Sequence, residues 1–398
     1  MAVAGIIAEY NPFHRGHAWQ IRRLRQQLGE DTAVAVVMSG NFVQRGDFAL
    51  LNKHARAECA LRGGADLVLE LPTSWAAATT ERFAQGGVAL LAATGVVTHL
   101  VFGSEAGELA PLQTAADVLE SEAYQENLRH HLAQGMTFAA AREKAAEELM
   151  GEAADCLSRP NNNLAVEYLR ACKRLAPDME PVTFPRVGAD HDSGEIGEFS
   201  SASAIRQQIL AGGNWHSLVP EATAVVVERE IAAGRAPVSV KTCERAVLAC
   251  LRRMNEEDFA PYDGGGEGLY HRFYDAVQSG TSLEEILAAA KTKRYPLARL
   301  RRVLLHSYLG VRQAAKDAAP PYLRILGANE RGRSLLRQMR KYAALPVITQ
   351  PAEVRRLGGD VEWLFEQEAR CTDLYTLAFP ELSRAKPGSE FSKSPVML

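Results

Sequence analysis

Two histidines, His14 and His17, stand three residues apart in "AEYNPFHRGHAWQ", where an apolar run ends and a helical pattern begins. Asn11-Pro12 breaks the run "VAGIIAEY", and Gly16 lies between the two imidazoles. At this spacing both rings fall on one side of a first helical turn, beside the N–H groups that a helix start leaves free. Such a place suits an anion. Two imidazoles there can donate to phosphate oxygens as negative charge builds on a departing pyrophosphate. The pattern predicts phosphoryl or nucleotidyl chemistry. The plainer alternative is a helix cap in which His14 bonds the backbone while His17 packs or meets solvent.

A second cluster, "FSSASAIR" at residues 199–206, offers the hydroxyls of Ser201 and Ser203 and the guanidinium of Arg206. These could clamp β and γ phosphates opposite the histidines, or form an ordinary serine cap. In "SGNFVQRGD", Gly40 and Gly46 bracket a loop with Asn41, Gln44 and Arg45. Arg45 could hold a small carboxylate or a phosphate, and the alternative is a solvated turn. Asp190, His191 and Asp192 are adjacent and cannot all converge on one ion without a sharp bend, so no protein-held metal is expected. The six cysteines form no C-x-x-C pair, which argues against zinc and against a disulfide framework.

The elements that must hold these residues follow from periodicity. The runs "VAGIIAEY", "AVAVVM", "DLVLEL", "HLVFG" and "EPVTFPRVG" read as strands, with helical stretches between them. This alternation predicts an α/β, doubly wound parallel sheet whose ligands lie beyond the carboxyl ends of the strands. All the loops named above fall at that edge. Gly212-Gly213 closes a helix, and a boundary is expected near residue 215, with residues 1–215 forming the nucleotide domain and 216–398 a mainly α-helical region. The polar tail "SRAKPGSEFSKSPVML" is expected to be disordered.

With 398 residues, 47% hydrophobic, and a net charge of -3, the chain is an ordinary globular one and no polycation. No leader pattern and no run of about 18 apolar residues is visible, so a soluble cytoplasmic protein without membrane contact is expected. Charge is nonetheless segregated. "KTKRYPLARLRR" carries Lys291, Lys293, Arg294, Arg299, Arg301 and Arg302 with no acid and with Tyr295 available to stack, and "RGRSLLRQMRK" at residues 331–341 repeats the theme. Such runs are usually solvated helix faces. Two in one acidic chain also fit a nucleic-acid backbone surface, to which Lys53 and Arg56 are further candidates.

An H-x-G-H string after the first strand with a late S-S-x-S-x-I-R element resembles the nucleotidylyltransferase superfamily, to which class I aminoacyl-tRNA synthetases are related. More specifically, "GIIAEYNPFHRGH", "MSGNFVQRGDFALLNKHARAECALRGGADLVLELP", "VFGSEAG", "RPNNNLAVEYL", "SSASAIR", "TKRYPLARLRRVLL" and "YLRILGANERGR" resemble the tRNA(Met) cytidine acetate ligase family. The resemblance implies an HxGH-type nucleotide domain that makes acetyl-adenylate from ATP and acetate, releases pyrophosphate, and acetylates N4 of the wobble cytidine of elongator tRNA(Met). It implies catalytic roles for His14 and His17. ATP contacts carry over to Ile7, Ala8, Glu9, Tyr10, Asn11, Pro12, Phe13, His14, Arg15, Gly16, His17, Ala18, Trp19 and Gln20. Others carry over to Gly103, to Asn161 or Asn162, and to Arg186, with Mg²⁺ brought by the ATP phosphates. Two rivals stay open at this point: a nucleotidyltransferase that leaves an NMP on a small phosphate-containing acceptor, and a non-catalytic RNA-binding factor.

Overall fold

A computed structural model describes residues 2–186, 200–262 and 268–398. Asp190, His191, Asp192 and Phe199 therefore lie outside the described residues. The strands are β1 (Val3–Ala8), β2 (Ala33–Ser39), β3 (Phe42–Val43), β4 (Asp47–Phe48), β5 (Leu67–Leu71), β6 (His99–Ser104), β7 (Glu180–Pro185), β8 (Leu323–Ala328), β9 (Val347–Ile348) and β10 (Val396–Met397). β3 and β4 form a small antiparallel ribbon, and the others build one sheet in the order β10-β8-β5-β2-β1-β6-β7 with β9 on β8. Every neighbouring pair in that sheet is parallel except β5 with β8.

Strand β2 shows why the apolar runs are continuous. Ala33, Ala35 and Val37 join the core on one face, while Val34, Met38 and Val36 join the core on the other. A strand covered on both faces has no polar side to show. Helices α1 (Arg15–Leu28) and α2 (Lys53–Arg62) cover one face through residues such as Ile21, Leu24, Ala57 and Ala60. Helices Thr80–Ala93 and Pro160–Leu175 cover the other.

The chain runs from β1 outward through β2 to β5, then crosses to β6 and β7 on the far side of β1. The strand order therefore reverses between β1 and β6, where a crevice opens in such sheets. The ladders show it: β1 pairs with β2 along Val3↔Ala33 to Ala8↔Met38, but with β6 only at Ala4↔His99 and Gly5↔Leu100. The segments Ile6–Ala8 and Val101–Ser104 are thus unpaired to each other, and the motif loops emerge from their ends.

Two expectations need correction. The sheet does not stop near residue 215, because β8 pairs antiparallel with β5 and β10 pairs with β8. The tail is not disordered either: Glu390 is buried, and β10 holds the end of the chain on the sheet. Buried ion pairs explain why so polar a segment is fixed. Between these strands the second half is mainly helical, and a third apolar core gathers Leu300, Val303, Phe273 and Tyr375 around Phe42 and Phe48 of the ribbon.

Candidate active site

The loop after β1 is bolted down before it reaches the histidines. Phe13 is wholly buried, and its ring lies so close over Gly63, at the end of α2, that any Cβ there would collide with it. The Asn11 side chain accepts from Leu50 N at 2.8 Å, and its carbonyl accepts from Arg206 Nη1 at 2.8 Å. Tyr10 has φ 47°, the left-handed region that a large side chain rarely adopts, and the Asn11-Pro12 bond is cis. The left-handed φ of Tyr10 marks an over-determined turn.

His14 is the N-cap of α1, as in the plainer alternative, and its Nδ1 accepts from Gly16 N at 3.1 Å. His17 closes the box by accepting from His14 N on its own Nδ1 at 3.2 Å. Two backbone donors thus fix both tautomers, so each neutral ring carries its proton on Nε2. The rings stack with centroids 3.7 Å apart and 25° between planes, and Tyr10 and Phe13 wall His17 at 4.7 and 5.5 Å. Burial, then His14, then Arg186 hold His17 well below its ordinary proton affinity. An Nε2–H pair at a helix start is a donor array that can act on a phosphate. Gly16 has a second use here, because a Cβ on it would stand 3.0 Å from the His14 ring.

Arg206 reaches the same turn from the helix Ala202–Leu210, which Ser201 caps by accepting from Ala204 N at 3.2 Å. Ser201, the cap, is buried and Ser203 is half-buried. Burial lowers the proton affinity of Arg206, while Glu9 and Asp47 support its charge and Arg45 and Arg301 oppose it. These groups converge at the carboxyl ends of β1 and β2. Asp47, pushed upward by burial, faces Arg301 and Arg206.

The loop after β2 answers the sequence expectations residue by residue. Asn41 is turned inward: it accepts from Lys53 N at 2.9 Å and donates to Thr372 at 3.2 Å, so it is a brace and not a surface contact. Gln44 bonds Thr80 Oγ1 at 3.2 Å and Glu9 Oε1 through its N–H at 2.8 Å, which ties this loop to β1. Arg45 is half-buried beside Arg206. Gly46, at φ 73°, sits against the backbone of Arg301 and Arg302.

Lys53 and Arg56 cannot touch RNA. Arg56 is fully buried and donates to the carbonyls of Leu51, Glu9, Ser39 and Gly40. It satisfies the carbonyls where β1 and β2 end, and burial lowers its proton affinity to about 10, still charged at neutral pH. Lys53 Nζ lies 2.7 Å from Glu70 and 3.0 Å from Glu390. Burial opposes its charge, but Glu390 and Glu70 outweigh burial. In the basic segment, Lys291, Lys293 and Arg294 are exposed, Arg299 and Arg301 half-buried, and Arg302 donates to Gln44 O at 3.4 Å with its charge disfavoured by burial. Tyr295 is buried, with Arg299 and Arg294 over its ring at 5.4 and 5.9 Å, so it is not available to stack on a base.

Across the crevice, at the ends of β6 and β7, Gly103 lies under the stem of Arg186: a Cβ on Gly103 would stand 3.2 Å from Arg186 Cγ. Arg186 Nη1 donates to Asn161 Oδ1. The side chain of buried Asn162 accepts from Ala106 N at 3.0 Å, and Asn163 donates to Leu157 O. Of the three asparagines, only Asn161 is joined to Arg186. Sequence reasoning missed Glu105, whose carboxylate underlies this cluster, and Glu9 as the tie between the two phosphate-edge loops. The string "GSEAG" contained the signal for Glu105, an acid two residues after a ligand-edge glycine. Among the described residues no group of three or more His, Cys, Asp or Glu is placed to hold a metal ion. No helix among them is long and apolar enough to cross a membrane.

A sequence model described as HIGH Nucleotidyl Transferase matches residues 1–389. The chain is 38% identical to a tRNA(Met) cytidine acetate ligase of Syntrophomonas wolfei, over 100% of this chain and 99% of that one. It is 34% identical to the protein of the same name in Fervidobacterium nodosum, over 98% of each. A crystal structure of Thermotoga maritima TmcAL superposes with a TM-score of 0.95 at 34% identity, and one bound with alpha-thio ATP with 0.93 at 35%, each covering 100% of both chains. A crevice at the strand-order reversal, flanked by a stacked H-x-G-H pair and by Arg206 and Arg186, therefore stands in a chain that belongs to the tRNA(Met) cytidine acetate ligase family.

Proposed function

We propose that this protein activates acetate with ATP and passes the acetyl group to N4 of the wobble cytidine of elongator tRNA(Met). The observation that carries the reading is the donor array of His14 and His17, with both Nδ1 atoms occupied by backbone N–H groups. ATP takes the crevice between β1 and β6, with its phosphates at the start of α1 and toward Arg206, and its nucleoside toward Gly103, Asn161 and Arg186. An acetate oxygen attacks the α-phosphorus, pyrophosphate leaves, and the Nε2–H donors follow the charge onto it. Arg45 is well placed to hold the acetate carboxylate or a phosphate. Mg²⁺ carried by the phosphates needs few protein ligands.

The second half-reaction breaks the acyl–phosphate bond as the cytidine amine attacks; AMP leaves and the amine loses a proton. Positioning beside a reactive anhydride supplies much of the rate. The RNA approaches past residues 291–301, next to the loop that Gly46 anchors. Residues 1–215 with β8 and β10 thus form the activating unit, and the helical remainder of 216–398 presents the RNA. A cytoplasmic setting fits an RNA substrate and six free cysteines.

The test is pyrophosphate release from ATP and Mg²⁺ with radiolabelled acetate, with and without tRNA, followed by nucleoside analysis. Acetate-dependent release with label in N4-acetylcytidine is expected. Release that requires another acceptor, with the nucleotide retained on it, would favour a nucleotidyltransferase instead.

A further inference from the structure

We infer that Glu105 is a positioning residue for the nucleotide: it holds the Asn161 amide in one orientation and, through it, sets Arg186 over Gly103 at the crevice. The inference rests on the ATP reading above. Glu105 follows directly on β6 and reaches the start of the helix Pro160–Leu175. Its Oε1 accepts from Asn161 N at 3.1 Å and from Asn161 Nδ2 at 2.5 Å, and its Oε2 accepts from Asn162 N at 2.7 Å. The helix has no cap of its own, since Arg159 makes no side-chain capping bond and Pro160 has no N–H. An acid from a neighbouring strand fills that role, where the helix dipole favours a negative charge.

The bond to Nδ2 goes beyond capping. An ionised carboxylate only accepts, so the Asn161 amide must turn its NH₂ toward Glu105 and its carbonyl away. That carbonyl is the group that receives Arg186 Nη1. With the amide reversed, donor would face guanidinium donor. The far end of Arg186 is held by its stem against Gly103 and by its own N–H, which bonds Ser104 O at 3.0 Å. Ser104 Oγ in turn bonds Thr183 Oγ1 at 2.8 Å and accepts from Gly107 N at 3.0 Å, so the ends of β6 and β7 form one rigid floor. The Asn161 amide could be reversed on this floor, and Glu105 removes that freedom. Arg186 also faces His17 across the crevice closely enough to disfavour a proton there, so its placement is felt on the phosphate side as well.

The experiment compares wild type, Glu105→Gln, Asn161→Ala and the double variant for ATP affinity by titration calorimetry, for acetate-dependent pyrophosphate release, and for thermal melting. A charge-assisted hydrogen bond of this kind is worth about a tenfold or larger change in affinity. Glu105→Gln, which can reverse and offer an amide donor, is expected to raise Kd and KM for ATP about tenfold or more while kcat falls by less. The double variant is expected to be no worse than Asn161→Ala alone, because the two act through one contact. Unchanged ATP affinity would overturn the inference. So would additive losses in the double variant, or a loss in melting temperature with KM untouched, which would reduce Glu105 to a helix cap. If wild type binds ATP but shows no acetate-dependent chemistry, the functional reading fails while ATP affinity still judges Glu105; if wild type binds no ATP, both fail.

Discussion

Two basic segments, residues 291–302 and 331–341, carry similar charge and lie at opposite edges of the sheet. The first leads into the helix Leu297–Leu309, whose backbone at Arg301 and Arg302 packs against Gly46 just past the carboxyl end of β2. The second is the helix Glu330–Tyr342. It starts beside Asp66 at the amino end of β5, where Asn329 N donates to Asp66 O at 3.0 Å, and ends near Gly95 ahead of β6, where Ala344 N donates to Ala93 O at 2.9 Å. A strand of about six residues, on the order of 20 Å, separates the two edges. Charge density alone therefore does not nominate an RNA surface; the edge at which the charge sits does. The crevice is at the carboxyl edge, which is why we propose the first segment as the RNA surface; the second is a solvated helix face, anchored through Asp66, which also binds Arg25 of α1 at 2.9 Å.

Breaking the carboxyl edge at its centre gives the largest effect. His17→Ala is expected to lower acetate-dependent adenylation by about a thousandfold, the scale of losing a preorganised donor to a developing anion, with tRNA affinity held within about twofold. Pyrophosphate exchange and filter binding read the two quantities, and equal loss of both would mean that the crevice had collapsed.

The support beneath that edge is next. Lys53→Met leaves Glu70 and Glu390 buried without their shared cation, a loss of about 3–5 kcal/mol in unfolding free energy. Urea unfolding measures it. A change below about 1 kcal/mol would show that the tail strand β10 and the α2 start do not depend on this network.

The comparison of the two segments is sharpened by paired charge removal. Changing Lys291, Lys293 and Arg294 together to Gln is expected to weaken tRNA binding about tenfold or more and to flatten its log–log salt slope by about 2, with adenylation intact. Changing Arg337, Arg340 and Lys341 to Gln is expected to alter binding by less than about twofold. The reverse ranking would move the RNA to the amino edge and contradict the assignment.

The smallest effect is on stability against pH. His54 and His306 are buried and held at about 3 and about 4, chiefly by burial, against an ordinary 6.5. Because the folded values are depressed, the unfolded chain takes up protons that the folded chain refuses as pH falls below about 6.5, so stability present above that pH is lost on the way down. Glu368 opposes this: burial, then Glu70, raise it to about 8 from 4.5, which costs stability as pH rises through that window. His17, also held low, adds to the histidine side, and Glu70 and Asp47, also raised by burial, add to the Glu368 side, so the His54 variant isolates the histidine contribution. The melting temperature is expected to drop between pH 7 and pH 5, and the drop to shrink in His54→Leu, since neither ring nitrogen of His54 has a partner to lose.

Much of this was legible from local pattern. The buried runs of β1, β2, β5 and β6 show themselves because both faces are apolar, and the histidine pair shows itself because glycine and Asn-Pro surround it. Strand β8 was hidden in "YLRILGA", a short apolar run between helices that periodicity cannot distinguish from helix, and it enters the sheet as an antiparallel neighbour of β5. Lys53 and Arg56 look like solvent-facing cations at a helix start. Their burial depends on partners far along the chain, Glu390 for Lys53 and the carbonyls at the ends of β1 and β2 for Arg56. Asn41 fails for the same reason, as Thr372 lies 331 residues away. Asn41, Lys53 and Arg56 all stand at the carboxyl edge, but the direction of a side chain was not something spacing could supply.

The most direct test of the central claim, that one crevice at the carboxyl edge both activates acetate and delivers it, is a single-turnover chase. Enzyme is mixed with ATP and radiolabelled acetate, freed of unbound acetate by rapid gel filtration, and added to elongator tRNA(Met) with excess unlabelled acetate. The account predicts that label passes to N4-acetylcytidine faster than it is diluted, with one AMP per acetyl transferred. Label washed out by the unlabelled acetate, or found outside the RNA, would contradict it.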